Sequence, residues 1–303
     1  MEEIRSVRHS NEDGKETVVV VNRHVGLFSL VFQVLANAYV ADRNGLNVFP
    51  YFNKKCLYWS ETGYRKKRNV WEYYYERISE CEPDLCFSGS MKLIEEAGPT
   101  ELAALAKNGI LLSSTYHSLI EYYDIRRMLV QRKFVAGLLS KYARPRRYIK
   151  KAVETICTHN MIGKSTVGVH IRGAEKSSES RRYYCGKVVP PELTIKSAKK
   201  ALNGQFDNVF LATDSAVWKR RFRDTFDDRV IILDHEDVNK QREEEGLLYG
   251  GRMSASLGRE VLLEAMTLAR CGLLIHGCSN ISYYACFLNP DMPQVNLYDS
   301  VVC

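Results

Sequence analysis

The sequence predicts an α/β protein of two domains, the second built on a parallel sheet. In the second half of the chain, short β-branched runs alternate with segments of helical period, the pattern of right-handed βαβ units. The length of 303 residues suits two domains of about 150 residues each. Hydrophobic residues at 45% and charged residues at 26% are ordinary for a globular chain.

A helix that follows Pro145 and runs to about His159 is the candidate hinge between the two domains. The polar residues 1–16 are expected to form a disordered lead-in. The first domain then covers 17–150, and the second covers 151–303.

The elements of the first domain follow from its hydrophobic pattern. Strands are predicted at 17–22 and 46–50, with an amphipathic helix at 27–43 between them and two further helices at 91–107 and 117–141. Between the second strand and these helices, the residues from 51 to 77 hold a dense group of tyrosines and tryptophans.

The second domain alternates strand and helix throughout. The strands are predicted at 166–171, 208–213, 229–233, 272–276 and 294–297, and the helices at 191–203, 215–225, 254–271 and 279–288. The polar segment 235–257 interrupts this alternation. Loops of that length in α/β domains are often functional lids, and disorder is an equally good interpretation.

Composition narrows the classes of protein. No apolar run approaches the roughly 18 residues of a membrane helix, and the N-terminus lacks the apolar region of a signal peptide. Nine scattered cysteines without a CxxC pair predict reduced thiols rather than disulfides or a zinc site. Basic clusters at 65–68, 144–151 and 219–223 suit either plain solvated surface or an anionic partner. Nucleic acid is disfavoured, because it would call for a continuous basic stripe with aromatic residues.

The end of the strand at 166–171 is the most informative part of the chain. His170 and Arg172 lie there, followed by Glu175 and Lys176. Ligands bind at the carboxyl ends of strands in open α/β sheets, where a guanidinium can hold a phosphate through two hydrogen bonds and an ammonium adds a charge. The segment therefore predicts a site for a phosphorylated ligand, with an ordinary solvated strand end as the alternative.

Three further features support this site. Asp214 follows the second strand of the domain and is either the cap of the next helix or a ligand contact. Glu264 lies in a helix that is apolar on nearly all sides, so its buried carboxylate needs a partner, either the two-donor edge of guanine or an arginine. Ser279 and Asn280 begin a helix, where they either cap it or help to form an anion site.

In combination and order, these segments resemble the GT-B fucosyltransferases that use GDP-fucose. The similarity is to the group of α1,6-fucosyltransferases and rhizobial nodulation fucosyltransferases, with protein O-fucosyltransferases more distant. The matching segments are His170-Ile-Arg-Gly-Ala-Glu-Lys176, Leu211-Ala-Thr-Asp214 and 264–280. They cover roughly residues 160–297, and a looser likeness covers 17–77.

The resemblance implies a GT-B fold, with two Rossmann-like domains facing across a cleft, the first on the acceptor side and the second binding the nucleotide sugar. It implies that Arg172 grips the β-phosphate of GDP and stabilises the leaving group, with Lys176 assisting. His170 and Glu264 would contact guanine. The remaining implied nucleotide contacts are Glu175, Asp214, Ser279, Asn280 and Gly26.

The sequence departs from the family pattern at three positions. Glu175 replaces an aspartate with a longer arm, and Gly173 stands where a second basic residue often follows the arginine. The family's proposed catalytic carboxylate lies a few residues past the lysine. Glu179 is the nearest match and the candidate catalytic carboxylate, with its register open by one residue.

The reaction implied is an inverting transfer of L-fucose from GDP-fucose to a glycan hydroxyl, without a metal or another cofactor. Such a transfer needs a base for the acceptor hydroxyl and a stabiliser for the departing diphosphate. Arg172 and Lys176 supply the stabiliser, and no DxD-type motif is placed to hold Mn²⁺. With no leader or anchor segment, a cytoplasmic enzyme of a bacterium or virus is expected.

Several alternatives stay open at this point. The donor could be another nucleotide sugar, and the chain could be a catalytically inactive nucleotide-binding relative or another non-catalytic binding module. The acceptor is not determined by the sequence, because the aromatic stretch 51–75 either belongs to the core or stacks on sugar rings.

Overall fold

The computed structural model describes residues 17–21, 25–43, 45, 47–79, 125–172, 189–233, 254–277 and 279–300. The expected lead-in at 1–16, the predicted helix at 91–107 and most of the candidate lid at 235–257 lie outside the described residues. The chain divides into two compact units, Met1–Arg146 and Arg147–Cys303. In the described part of the chain, no helix is both long and apolar enough to cross a membrane.

The first unit contains a parallel pair of strands connected by a helix. The elements are β1 (Thr17–Val21), α1 (Leu27–Arg43) and β2 (Asn47–Tyr51), followed by the short helix α2 (Trp71–Tyr74) and the long helix α3 (Ile125–Tyr142). The predicted bounds of α1 are confirmed, and the second strand begins one residue later than predicted. The prediction that α1 is amphipathic is wrong, because nearly all of its residues from Leu27 to Ala38 are buried. It packs on both strands and on α3, so its burial is not confined to one face.

The aromatic stretch after β2 forms core. Tyr58, Trp71 and the three tyrosines 73–75 are buried, while Trp59 and Tyr64 are half-buried. Asn69 organises the segment, since its Oδ1 accepts hydrogen bonds from Phe52 N (3.0 Å) and Trp71 N (3.2 Å) and its Nδ2 donates to Pro50 O (2.7 Å). The core interpretation is therefore confirmed for the buried rings.

The second unit is a parallel five-stranded sheet with helices on both faces. Its strands are β3 (Thr166–Ile171), β4 (Asn208–Thr213), β5 (Val230–Ile232), β6 (Leu273–His276) and β7 (Gln294–Asn296), and its helices are α4 (Arg147–His159), α5 (Pro191–Leu202), α6 (Ala216–Phe226), α7 (Ala255–Leu268) and α8 (Asn280–Leu288). Each predicted strand and helix of this domain is present, with bounds within three residues of the prediction. The α/β class with a parallel sheet is confirmed.

Two hydrophobic clusters show how the layers are arranged. Phe210 and Ala212 of β4 pack with residues of α4, α7 and α8, whereas Val209 and Leu211 pack with residues of α5 and α6. Successive residues of a strand point to opposite faces, so β4 is covered on both sides. This is why the strands of this unit are nearly continuous apolar runs.

Gly168 allows α7 to lie close to β3. A Cβ atom at this position would stand 3.1 Å from Leu268 Cδ2 and 3.2 Å from Cys271 Sγ. These distances are tighter than ordinary contacts, so a larger residue would push the helix from the sheet. The contact fixes the height of α7 relative to β3, and with it the position of Glu264 one helical turn before Leu268.

The strand order β5-β4-β3-β6-β7 contains one reversal. From β3 the chain proceeds outward through β4 and β5, and then returns to β6 on the other side of β3 before continuing to β7. In open α/β sheets of this order, the crevice outside the carboxyl ends of the two central strands is where ligands bind. We call the carboxyl ends of β3, β4 and β6 the switch edge.

Candidate functional site

The switch edge brings together most of the site residues predicted in the second unit. His170 and Arg172 lie at the end of β3, Asp214 follows β4, and Ser279 and Asn280 follow β6. Gly26 lies in the first unit, where it immediately precedes α1 and its carbonyl accepts from Ser29 N (3.0 Å). Glu175, Lys176 and Glu179 lie outside the described residues.

His170 is held in place by a hydrogen bond to α8. Its Nδ1 lies 2.9 Å from Ser282 Oγ, and the imidazole is only 5% exposed. The pair connects residues 112 positions apart in sequence, so it ties β3 to the helix that begins at the switch edge. The contact at Nδ1 also sets the orientation of the ring and leaves Nε2 as the nitrogen that could meet a ligand.

His276 stands beside His170 on the same face of the sheet, because the two are register partners in β3 and β6. Its Nε2 lies 2.9 Å from Gln294 Oε1, which also accepts a hydrogen bond from Cys286 Sγ at 3.2 Å. Its ring meets that of Tyr283 edge-on at 6.2 Å. His276, Gln294 and Cys286 were not predicted as a group, although a histidine at the end of the otherwise apolar strand β6 was a usable signal.

Ser215, not Asp214, caps helix α6. Ser215 has extended backbone dihedrals, and its Oγ accepts from Trp218 N at 3.4 Å. Thr213 Oγ1 in turn accepts from Ser215 N at 3.2 Å. The capping interpretation of Asp214 is therefore wrong, since the residue that follows it is the N-cap and accepts the amide of Trp218. Asp214 stands half-buried at the end of β4, beside β3.

Ser279 is a helix cap. It is buried, and its Oγ accepts from Ile281 N at 3.3 Å at the start of α8. The capping interpretation of Ser279 is confirmed for the side chain. The other amides of the first turn of α8 lie at the switch edge, where the positive end of the helix dipole favours an anion.

Arg172 and Glu264 are both half-buried. The predicted burial of helix α7 is confirmed, since only its residue Ser256 is exposed. The carboxylate of Glu264 was predicted to be buried and is instead half-buried. Leu268 of α7 packs on Gly168 of β3. Along the helix, Glu264 lies one turn, about 5–6 Å, before Leu268. Along the strand, His170 lies two residues, about 6–7 Å, beyond Gly168. Because α7 runs antiparallel to the strands, Glu264 and His170 lie at similar heights near the switch edge.

Lys219 is buried at the amino end of α6, although it belongs to the basic cluster 219–223 that sequence reasoning assigned to the surface. Its side chain is 6% exposed and faces the sheet together with Phe222 and Phe226. Its Nζ makes no hydrogen bond in the described part of the protein. Helical side chains point back toward the helix N-terminus, which for α6 means toward the end of β4.

The described cysteines are free thiols, as expected: Cys56, Cys157, Cys271 and Cys286. Burial raises the pKa of Cys56 to about 11 and raises the pKa of Cys271 further, where the nearby Cys157 acts in the same direction. A raised pKa keeps a thiol neutral at physiological pH, so these side chains are packing groups rather than nucleophiles. Within the described ranges, no group of three or more His, Cys, Asp or Glu side chains is arranged to hold a metal ion.

Comparison with known proteins gives a family match and a fold match. The sequence profile of the family described as Nodulation protein Z (NodZ) matches residues 133–302, more than half of the chain. A comparison with curated proteins found no significant match.

Solved fucosyltransferases share the fold at low sequence identity. A NodZ α-1,6-fucosyltransferase soaked with GDP-fucose is 15% identical over 90% of this chain and 92% of that one, with a TM-score of 0.53. A fucosyltransferase NodZ from Bradyrhizobium is 15% identical over 89% and 92%, with a TM-score of 0.52. POFUT1 in complex with GDP is 9% identical over 93% and 98%, with a TM-score of 0.53. The fold is therefore that of the GT-B fucosyltransferases.

Proposed function

The chain belongs to the nodulation protein Z (NodZ) family, and from that premise we propose that it transfers L-fucose from GDP-fucose to a hydroxyl of a glycan acceptor. The observation that carries the proposal is the position of the family match. It spans residues 133–302 and so includes every element of the switch edge. Structures of the same fold have been obtained with GDP-fucose and with GDP.

The second unit is proposed to bind the nucleotide sugar, with the first on the acceptor side. The reversal of strand order between β3 and β6 supports the first assignment, because nucleotides bind at this point of doubly wound sheets. Arg172 at the end of β3 is then the residue that grips the β-phosphate. Its planar fork can make two parallel hydrogen bonds to phosphate oxygens, which a lysine cannot.

Glu264 is proposed to recognise guanine. A carboxylate can accept two hydrogen bonds from the N1–H and N2–H₂ edge of that base, and Glu264 lies near the height of His170, the other proposed base contact. His170 is fixed by Ser282, so its ring would present one preset atom to the ligand. The proposed contacts of Asp214, Asn280 and the amides after Ser279 would complete the nucleotide site, with Glu175 and Gly26 as further proposed contacts.

The proposed transfer is inverting and independent of metal. As the bond between fucose and the diphosphate breaks, negative charge grows on the leaving group, and Arg172 with Lys176 would stabilise it. The first turn of α8 would add its amides and dipole. A base must take the proton of the attacking hydroxyl, and Glu179 is the proposed candidate for that role.

We further propose that the enzyme works in the cytoplasm. The support is that Cys157 and Cys271, which lie close enough to influence each other electrostatically, are both free thiols. A pair of neighbouring thiols is typical of proteins kept in a reducing compartment.

A donor panel tests this function. The purified chain is incubated with GDP-fucose, another GDP-sugar and a UDP-sugar, each with and without a glycan array, and release of free nucleotide and labelling of glycans are measured. Consumption of GDP-fucose alone, with fucose on a defined set of glycans and inverted anomeric configuration by NMR, supports the proposal. Turnover of a different donor would replace fucose, and GDP binding without any turnover would identify an inactive relative.

A further inference from the structure

A basic hairpin lies at the carboxyl edge of the first unit's strands. The segment 52–70 follows β2 and is anchored at the start of α1, where Tyr58 OH accepts a hydrogen bond from Leu27 N at 2.9 Å. It contains six cations and a single acid, Glu61. The carboxyl ends of strands are the edge at which ligands meet an open α/β sheet, so the segment lies where a substrate would contact this unit.

The hairpin turns at Arg65 and Lys66, which we call the hairpin tip. Tyr64 and Lys67 close the turn through two backbone hydrogen bonds, Tyr64 N to Lys67 O at 2.9 Å and Lys67 N to Tyr64 O at 3.0 Å. The tip residues have φ angles of 49° and 63°, the left-handed region that such a two-residue turn requires at both central positions.

Left-handed backbone is unfavourable for long side chains, and Asn-Gly is the pair that this turn prefers. Arg65 and Lys66 therefore occupy positions that another pair would fill with less strain. Non-glycine residues held in this conformation concentrate at functional sites, where the surrounding structure enforces them. Both tip side chains are exposed, so packing in the core does not explain their presence.

The surroundings of the tip hold it rigidly. The Tyr64 ring packs against the rings of Tyr73 and Tyr74 with centroids 5.6 and 6.4 Å apart. Gly63 has a φ of 77°, and a Cβ atom there would stand 2.5 Å from Lys67 O, so only glycine fits.

Both side chains of the tip are exposed, and the base of the hairpin contains an ion pair. Lys67 Nζ lies 3.3 Å from Glu72, a buried carboxylate that also pairs with Arg77. Glu72 is therefore shared between Lys67 at the base of the hairpin and Arg77, while the exposed Arg65 lies over the Tyr64 ring at 6.0 Å and Lys66 is exposed to solvent. The backbone of the turn is held in place, so the two cations start from fixed positions, which suits discrete anionic groups better than a fluid surface.

We propose that the hairpin tip binds carboxylate or phosphate groups of an acidic acceptor glycan. This assignment of the acceptor class rests on the proposed function, in which the first unit lies on the acceptor side. The charge of the segment is complementary to such a glycan, and the tip holds two cations in a strained but enforced geometry at the ligand edge.

The test uses the double variant Arg65→Asn, Lys66→Gly, which installs the preferred pair for the turn. Its melting temperature is expected to rise by roughly 2–4 °C, because Asn and Gly adopt the left-handed conformation with less strain. Any loss of binding then cannot come from unfolding. The matched control is Lys54→Gln, Lys55→Gln, which removes two exposed cations from the same segment 52–70 but away from the hairpin tip.

Binding is measured by calorimetry at low salt with a hyaluronan tetrasaccharide and with the same tetrasaccharide after reduction of its carboxylates to alcohols. The wild-type chain is expected to bind the acidic form at least about tenfold more tightly, a difference of about 1.4 kcal/mol. The tip variant loses that preference, and the control variant keeps it within about twofold, because weak exposed charges outside the site contribute little.

Three results would overturn the proposal. The first is equal binding of the two tetrasaccharides, or a preference that survives in the tip variant. The second is binding of inorganic phosphate as tight as that of the tetrasaccharide, which would reduce the tip to a general anion site. The third is tip-dependent binding of phosphatidylserine vesicles without binding of the tetrasaccharide, which would replace the glycan with a membrane surface. Because no fucose transfer is measured, the outcome is independent of whether GDP-fucose proves to be the donor.

Discussion

The switch edge of the second unit and the segment 52–75 of the first unit place their side chains in opposite ways. At the switch edge, half-buried polar groups such as Arg172 and Asp214 stand at the ends of neighbouring parallel strands, so the regular sheet places them along one edge. In the segment 52–75, the aromatic rings are buried against one another and cations occupy the surface. In a regular parallel sheet, the strand order alone determines where functional side chains lie. In a segment without regular secondary structure, the largest side chains are needed for packing and stabilise the segment itself.

Trp71→Ala should have the largest effect and tests the core role of the aromatic segment. Trp71 stacks on Tyr75 at 4.6 Å and donates from Nε1 to Glu76 O at 3.1 Å. Removing a buried tryptophan costs about 3–5 kcal/mol of unfolding free energy. Denaturant titration measures this, with Trp59→Ala, at a half-buried position, as the control that loses less. Full stability with weakened acceptor binding would instead make Trp71 a sugar platform.

Arg172→Lys should leave the fold intact and slow transfer by at least about a hundredfold, the effect of removing one preorganised donor. Lysine keeps the charge and loses the planar fork that meets the phosphate as the bond breaks. Steady-state rates with saturating donor give the comparison, and Arg270→Lys, an exposed arginine of the same unit, is the control. Near-normal turnover in Arg172→Lys would assign the phosphate to another residue.

Glu264→Gln should reduce GDP affinity at least about tenfold, because one acceptor oxygen becomes a donor that faces a donor of guanine. UDP should bind weakly to both proteins. Calorimetry and melting temperature are measured on the same preparation, with Glu192→Gln as an exposed control. If Glu264 is instead a structural ion-pair partner, melting temperature falls while GDP affinity of the folded protein stays unchanged.

Lys219→Met should have the smallest effect and should stabilise the fold, by about 1 kcal/mol. The methionine keeps the length of the stem and removes a buried ammonium that has no hydrogen bond in the described part of the protein. Denaturant titration is the measurement, and Arg220→Met, on the exposed side of α6, should change stability little. Destabilisation by Lys219→Met would show that the ammonium has a partner in the folded protein.

Regular elements of the second unit were predictable because β3 and β4 are buried on both faces. Their apolar runs end where the strands end, so 166–171 and 208–213 could be predicted to the residue. The polar residues that follow them could then be placed at the switch edge by the rule for parallel sheets. The family profile adds support from the same segments.

Helix caps and hydrogen bonds that depend on residues distant in sequence could not be predicted. Asp214 and Ser215 are equally good caps in sequence, and backbone geometry selected Ser215. The bond between His170 and Ser282 joins residues far apart in the chain, so no local pattern indicates it. Lys219 was a different case, since its spacing of three and seven residues from Phe222 and Phe226 already placed it on the buried stripe of α6.

The central claim is that the switch edge of this chain holds the GDP of its donor without a metal ion. Calorimetric titration with GDP, once in EDTA and once with Mn²⁺, tests it most directly, with UDP as the matched ligand. We predict that GDP binds in EDTA with an affinity within about tenfold of that in Mn²⁺, or about 1.4 kcal/mol, and at least about tenfold more tightly than UDP. Failure to bind GDP, a larger loss on chelation, or a preference for UDP would contradict the claim.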